Sequence, residues 1–251
     1  MSIELTYSGH VAELTLNNPE KRNVLDLDTT RALKGAVDEA VSREDTKAIL
    51  LLANGRAFCA GGSLDELLAA QQDTSLLGQI YEGFLAVADC PLPTIAAVQG
   101  AAVGAGMNLA LACDVRLVSP EASFDTRFLQ LGIHCGGGHT WLLQRALSWE
   151  QSVNALLLGQ VLRGEQAVEA GLALACVSQE NLRGKARAQL DNLASVPRSL
   201  IEQSKASLVR AAASVGHAQM VEHEYEAQAR SLQQPHAIDT LQKLKQKIAG
   251  K

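Results

Sequence analysis

Two glycine-rich turns hold the residues best suited to chemistry. Phe58-Cys59-Ala60-Gly61-Gly62 and Gly100-Ala101-Ala102-Val103-Gly104-Ala105-Gly106 each close an apolar strand-like run and open a helix-like one. In that setting two backbone N–H groups can converge on one ligand atom, which is the makings of an oxyanion hole. Such a hole binds negative charge developing on a carbonyl oxygen, and one donor of this kind is worth about 3 to 4 kcal/mol of transition-state stabilisation. A helix beginning near Gly106 adds the positive end of its dipole. The competing reading is that Gly104 and Gly106 only let a helix lie close to a strand. A dinucleotide fingerprint would need G-x-G-x-x-G, whereas the stretch runs Gly104-x-Gly106-x-x-Leu109. His134, Cys135 and His139 are metal-ligand types close together, but no second cluster supplies a further ligand, so no metal is expected.

The chain around these turns has the composition of a soluble globular protein. Its 251 residues are enough for a large buried core in one domain, or in one domain with an appendage. A hydrophobic fraction of 47% with 20% charged residues is ordinary for a globular protein, and a net charge of −5 without a basic stripe argues against nucleic acid. Cys59, Cys90, Cys113, Cys135 and Cys176 are odd in number, scattered and without a CxxC pair, which favours free thiols in a reducing compartment. Met1 to Tyr7 already alternates like a strand and shows no secretory signal, so a cytoplasmic location is expected. The uncharged run Ile95 to Cys113 is interrupted by Gln99, Asn108 and three glycines, which fits a buried strand, turn and helix better than a membrane span.

Periodicity supplies the elements that must position the turns. Ile3 to Tyr7 and Val11 to Leu16 read as an opening hairpin. Asp28 to Arg43 is helical behind an Asp28 or Thr29 cap, and Ala48 to Leu52 is a fully buried strand. Further strands are expected at Thr94 to Val98, Val115 to Ser119 and Ala173 to Val177, with helices at Leu76 to Asp89, Met107 to Cys113 and Thr140 to Leu147. This alternation predicts an α/β fold with parallel pairing. After about Asn181 only helices are expected, so the chain divides into a core over 1–180 and a helical unit over 181–251, either a capping subdomain or a subunit interface.

The motifs carry a resemblance. From Asn18-Pro19-Glu20-Lys21-Arg22-Asn23-Val24-Leu25 through the two glycine turns to Met107-Asn108-Leu109, the chain resembles the enoyl-CoA hydratase/isomerase (crotonase) family. The match continues through Cys113-Asp114, Ala122-Ser123-Phe124, Leu131-Gly132 and Leu156-Leu157-Leu158-Gly159. Singly these motifs are weak; in order, over residues 10–180, they are specific. The resemblance implies a crotonase-like spiral of strand-strand-helix turns and a C-terminal helical subdomain used in a homotrimer or a dimer of trimers. It also implies an acyl-CoA thioester of fatty acid metabolism as ligand, with coenzyme A as part of the substrate and no separate cofactor. Carried over by position, the N–H groups of Gly62 and Ala105 form the oxyanion hole, while Asn23, Val24, Leu25 and Ala60 line the adenine and pantetheine path.

One departure limits the functional expectation. The family's hydratases use two glutamates to hold and deprotonate water, and the aligned positions here are Asn108 and Phe128. General acid or base groups contribute about 10² to 10⁴ in rate each, so a chain lacking both is expected to be a poor hydratase by that route. Asn108 is a polar replacement that orients but takes no proton. Asp125, His134 and His139 lie on the segment that the resemblance places along the acyl end. Asp125 and His134 are the candidate acid/base groups, Asp125 alternatively pairing with Arg127 and His139 starting the helix. Asp65 and Glu66 are expected in the first turn of a helix, where its dipole favours them. An acyl-CoA lyase or isomerase is therefore the expectation, with a decarboxylase or a non-catalytic acyl-CoA binding protein as alternatives.

Overall fold

The computed structural model describes residues 2–213 and 216–249. Two strands, β1 (Ile3–Ser8) and β2 (Val11–Leu16), pair antiparallel, as the alternation predicts. Helix α1 (Leu27–Ser42) follows, and its cap is Asp26 rather than Asp28 or Thr29: the Asp26 carboxylate accepts from the Thr29 N–H at 2.8 Å.

From there the chain repeats a strand-strand-helix turn. β3 (Ala48–Ala53) and β4 (Ala57–Cys59) lead to α2 (Leu64–Ala69) and α3 (Ser75–Ala88). β5 (Thr94–Val98) and β6 (Ala101–Val103) lead to α4 (Ala105–Ala112). β7 (Val115–Val118) and β8 (Ser123–Asp125) lead to α5 (His139–Ala146) and α6 (Trp149–Leu156). β9 (Leu162–Arg163), α7 (Gly164–Glu169) and β10 (Ala175–Cys176) complete the spiral. The first strands β3, β5 and β7 join a six-stranded sheet in the order β1-β2-β3-β5-β7-β10, and the second strands β4, β6 and β8 join a four-stranded sheet in the order β4-β6-β8-β9. In the last turn the order reverses, β9 adding to the smaller sheet and β10 to the larger.

The larger sheet is covered on both faces, which is why its strands read as continuous apolar runs. Ile49 and Leu51 of β3 face a core that includes Leu33, Val37 and Ala40 of α1. Leu50 and Leu52 face a second core closed by Leu182, Ala186 and Leu190 of α8 (Gln179–Leu190). This coverage moves the division of the chain. The first compact unit runs through Ala194 and the second begins at Ser195, rather than at 181, because α8 supplies a wall of the sheet. The second unit holds α9 (Arg198–Ala213), α10 (His217–Leu232) and α11 (Pro235–Ala249). Among the described residues no helix is long and apolar enough to cross a membrane.

Candidate active site

Parallel pairing of β4 with β6 brings the two glycine turns side by side at the carboxyl ends of their strands, the edge at which open α/β sheets bind ligands. Two glycines permit the approach. Gly61 has φ +104°, and a side-chain carbon there would meet the Val103 carbonyl oxygen at 2.8 Å. A side-chain carbon on Gly106 would lie 2.2 Å from the Cys59 carbonyl oxygen, so the first turn of α4 rests directly on the end of β4.

The result is a cavity of about 790 Å³ bounded by both turns, by α2 and α3, and by the 126–136 segment. Gly62 and Ala105 both line it. Gly62 bridges to Leu25, yet its N–H has no acceptor among the described residues. Ala105 is the first residue of α4, behind a Gly104 cap that offers no side chain, and its N–H is likewise unpartnered. Helix starts leave such donors open unless a cap or ligand takes them.

Asn108 and Phe128, the replacements for the family's glutamates, both line this cavity. Asn108 is 1% exposed, and its amide is committed at both ends. The Gly136 carbonyl can only accept, so Asn108 Nδ2 donates to it, at 3.0 Å. That turns Asn108 Oδ1 toward His139 Nδ1, which donates across 2.6 Å. His139 therefore carries its hydrogen on Nδ1. Its Nε2 is a bare acceptor, buried without a partner among the described residues, and burial pulls the ring's pKa down to about 4. Phe128 packs edge-on against the same ring, with centroids 4.9 Å apart. This wall is neutral at pH 7, and it contains no carboxylate to take a proton from water.

His134 lines the cavity and is exposed. Its Nδ1 donates to the Cys135 carbonyl at 2.6 Å, which leaves Nε2 as the lone-pair nitrogen. Asp125 does not line the cavity. Its carboxylate is 7% exposed for the whole residue and accepts from Arg127, with Nε at 3.0 Å and Nη2 closer still. Arg127, which does line the cavity, holds that pair from a left-handed backbone with φ +57°. The pairing reading of Asp125 is the one the geometry matches.

Of the residues expected along the coenzyme path, Val24 and Ala60 line the cavity, whereas Asn23 and Leu25 do not. Asn23 is 1% exposed because its side chain ties three segments. Its Nδ2 donates to the carbonyls of Asn54 and Ala57, and its Oδ1 accepts from the Asn18 N–H. Leu25 belongs to the apolar core. Glu66 falls in the first turn of α2 as expected, where its carboxylate accepts from the Leu27 N–H. Glu20, Lys21 and Arg22 join the lining from the segment between β2 and α1. Among the described residues no cluster of His, Cys, Asp and Glu could hold a metal.

Periodicity did not point to Tyr81, whose ring lines the cavity from α3. The sequence signal was present only in hindsight, as a tyrosine at helical spacing from Phe84 on a buried face.

A spiral of strand-strand-helix turns, closed around an apolar cavity with two open backbone donors, defines a crotonase-fold protein. Comparison with known proteins agrees: a family model described as enoyl-CoA hydratase/isomerase matches residues 6–247. The protein called "Probable enoyl-CoA hydratase EchA14" from Mycobacterium tuberculosis is 42% identical over 239 residues, 92% of each chain. The 1,2-epoxyphenylacetyl-CoA isomerase of Escherichia coli is 37% identical over 196 residues, 74% of each. The crystal structure of an enoyl-CoA hydratase from Bacillus anthracis superposes with a TM-score of 0.92 at 26% identity, over 98% of this chain and 97% of that one. The chain belongs to the enoyl-CoA hydratase/isomerase family, whose members act on acyl-CoA thioesters.

Proposed function

We propose that this protein is an acyl-CoA isomerase-type enzyme that stabilises a thioester enolate and moves a proton with one carrier, rather than adding water. The observation that carries this reading is the pair of amides at Gly62 and Ala105, unpartnered among the described residues, beside a wall in which Asn108 is tied off and Phe128 is apolar.

The chemistry follows from those groups. A base removes a proton from the carbon next to the thioester, and the electron pair moves onto the thioester oxygen. Two fixed N–H dipoles stabilise that charge without reorganising. Return of the proton to C4, the far carbon of the original double bond of a 3-enoyl chain, leaves the double bond between C2 and C3, conjugated with the thioester. One carrier suffices for both transfers, and His134 is our assignment, because its Nε2 is free beside the cavity. Lys21 and Arg22 offer positive charge to the coenzyme's phosphates. Apolar lining from Leu67, Leu77 and Ile80 lowers the polarity around the dipoles, which strengthens them and protects the enolate.

The test is to offer the purified protein a 3-enoyl-CoA, crotonyl-CoA and a malonyl-type thioester. Conversion of the 3-enoyl thioester with negligible hydration of crotonyl-CoA is the expected result. Fast hydration of crotonyl-CoA contradicts the role given to Asn108 and Phe128. Loss of CO2 from the malonyl-type thioester alone makes the enzyme a decarboxylase, and tight binding with no turnover of any makes it a binding protein.

A further inference from the structure

One polar group in the cavity has no part in the reaction above. Tyr81 lines the cavity, and its hydroxyl has no hydrogen-bond partner among the described residues. Gly136 fixes its place, since a carbon added to that glycine would lie 2.1 Å from the Tyr81 hydroxyl oxygen. The carbonyl of the same glycine accepts from Asn108. Asn108 in turn stands three residues after Ala105 on α4, so the two share a helix face at about 5 to 6 Å. A thioester oxygen on the Ala105 N–H thus puts the first acyl carbons beside Asn108 and the next ones beside Tyr81.

Apolar side chains pack on the ring, while the Gly136 backbone and the Cys135 thiol stand on the side of the hydroxyl. Phe84 packs against the Tyr81 ring with centroids 5.6 Å apart, and Ile80 adds to the same wall. Burial, and next the nearby Cys135 thiol, raise the pKa of Tyr81, which keeps the O–H as a donor at neutral pH. A saturated hydrocarbon chain seated there would cover the hydroxyl and leave it unsatisfied, whereas an oxygen on the chain would accept from it. A site with a donor waiting for an acceptor rejects the ligand that lacks one.

We propose that the Tyr81 hydroxyl makes this site selective for acyl-CoA thioesters whose acyl chain carries a hydroxyl or carbonyl oxygen near its fourth carbon. The inference rests on the placement of the thioester at Gly62 and Ala105. Isothermal titration of 4-hydroxybutyryl-CoA and pentanoyl-CoA, whose chains match in heavy atoms, tests it in the wild type and in Tyr81→Phe, with coenzyme A alone as control. The wild type is expected to prefer the hydroxylated thioester by about tenfold, the scale of one net hydrogen bond. Tyr81→Phe is expected to erase or reverse that preference without changing the affinity for coenzyme A. Equal binding of the two thioesters by the wild type overturns the proposal whether or not the variant folds. A preference that survives in Tyr81→Phe overturns it as well. If neither thioester binds, the reading of the cavity as a thioester site fails first and takes this inference with it.

Discussion

Replacing Ala105 with proline deletes one of the two proposed oxyanion donors while asking little of the fold. Ala105 is the first residue of α4, where an N–H has no intrahelical acceptor, and here it has no other acceptor among the described residues. Proline is favoured at that helical position because the hydrogen it lacks is one the helix does not use. The preceding residue suffers when its Cβ meets the proline ring, but Gly104 has none. Removal of one such donor costs about 3 to 4 kcal/mol in the transition state, a fall in kcat of about 10² to 10³. KM should change little, since the bond to the oxygen strengthens as charge develops. The assay pairs kcat for the thioester that is turned over with a circular-dichroism melt and the coenzyme A affinity. Ala105→Gly keeps the N–H and should retain nearly full kcat at a stability cost below about 1 kcal/mol. A folded Ala105→Pro enzyme with kcat within threefold of wild type refutes the assignment.

Other perturbations probe the supports of the site. Gly106→Ala drives a carbon into the Cys59 carbonyl oxygen and should destabilise by about 1 to 3 kcal/mol, lowering Tm by several degrees; an unchanged melt would mean the turns do not rest on each other. His139 titrates near 4 when folded against 6.5 unfolded, so the unfolded state binds the proton first as pH falls. Its contribution is complete above pH 6.5 and declines toward pH 4, by on the order of 3 kcal/mol. Urea titrations across that range should show a smaller loss for His139→Gln than for wild type, and equal losses would contradict a buried neutral ring. Asn108→Ala leaves the Gly136 carbonyl and His139 Nδ1–H without partners, at about 1 to 3 kcal/mol each, and should speed amide exchange around residues 134–138. His134→Ala should abolish turnover while thioester affinity stays nearly intact, and an unchanged rate removes it as the carrier.

Much of the fold is legible in the sequence because burial on both faces of a parallel sheet writes itself as an apolar run. Ala48 to Leu52 and Thr94 to Val98 are of this kind. Three-residue strands such as β4, β6 and β8 are too short to show a period, so the second sheet is invisible until its neighbours align. The end of the first unit was hidden for a similar reason. Helix α8 looks like its followers in sequence and differs only in having a sheet face to cover.

At the site, the glycine turns are readable because close backbone approach demands glycine, whatever the ligand. The roles of polar side chains are not readable, since they depend on partners far along the chain. Asn108 meets His139 across 31 positions, and Asn23 meets the Ala57 carbonyl across 34. Both look like ligand-facing amides in sequence, and the structure makes Asn23 a strut and ties Asn108 into a wall. Asp125 is a milder case, because its neighbour Arg127 was the alternative visible from the start.

The most direct measurement is a crystal structure of the protein with an acyl-CoA bound. The account predicts the thioester oxygen within about 3 Å of the backbone nitrogens of both Gly62 and Ala105, with the acyl chain running past Asn108. A thioester oxygen that meets neither nitrogen, or an acyl chain seated outside this cavity, contradicts it.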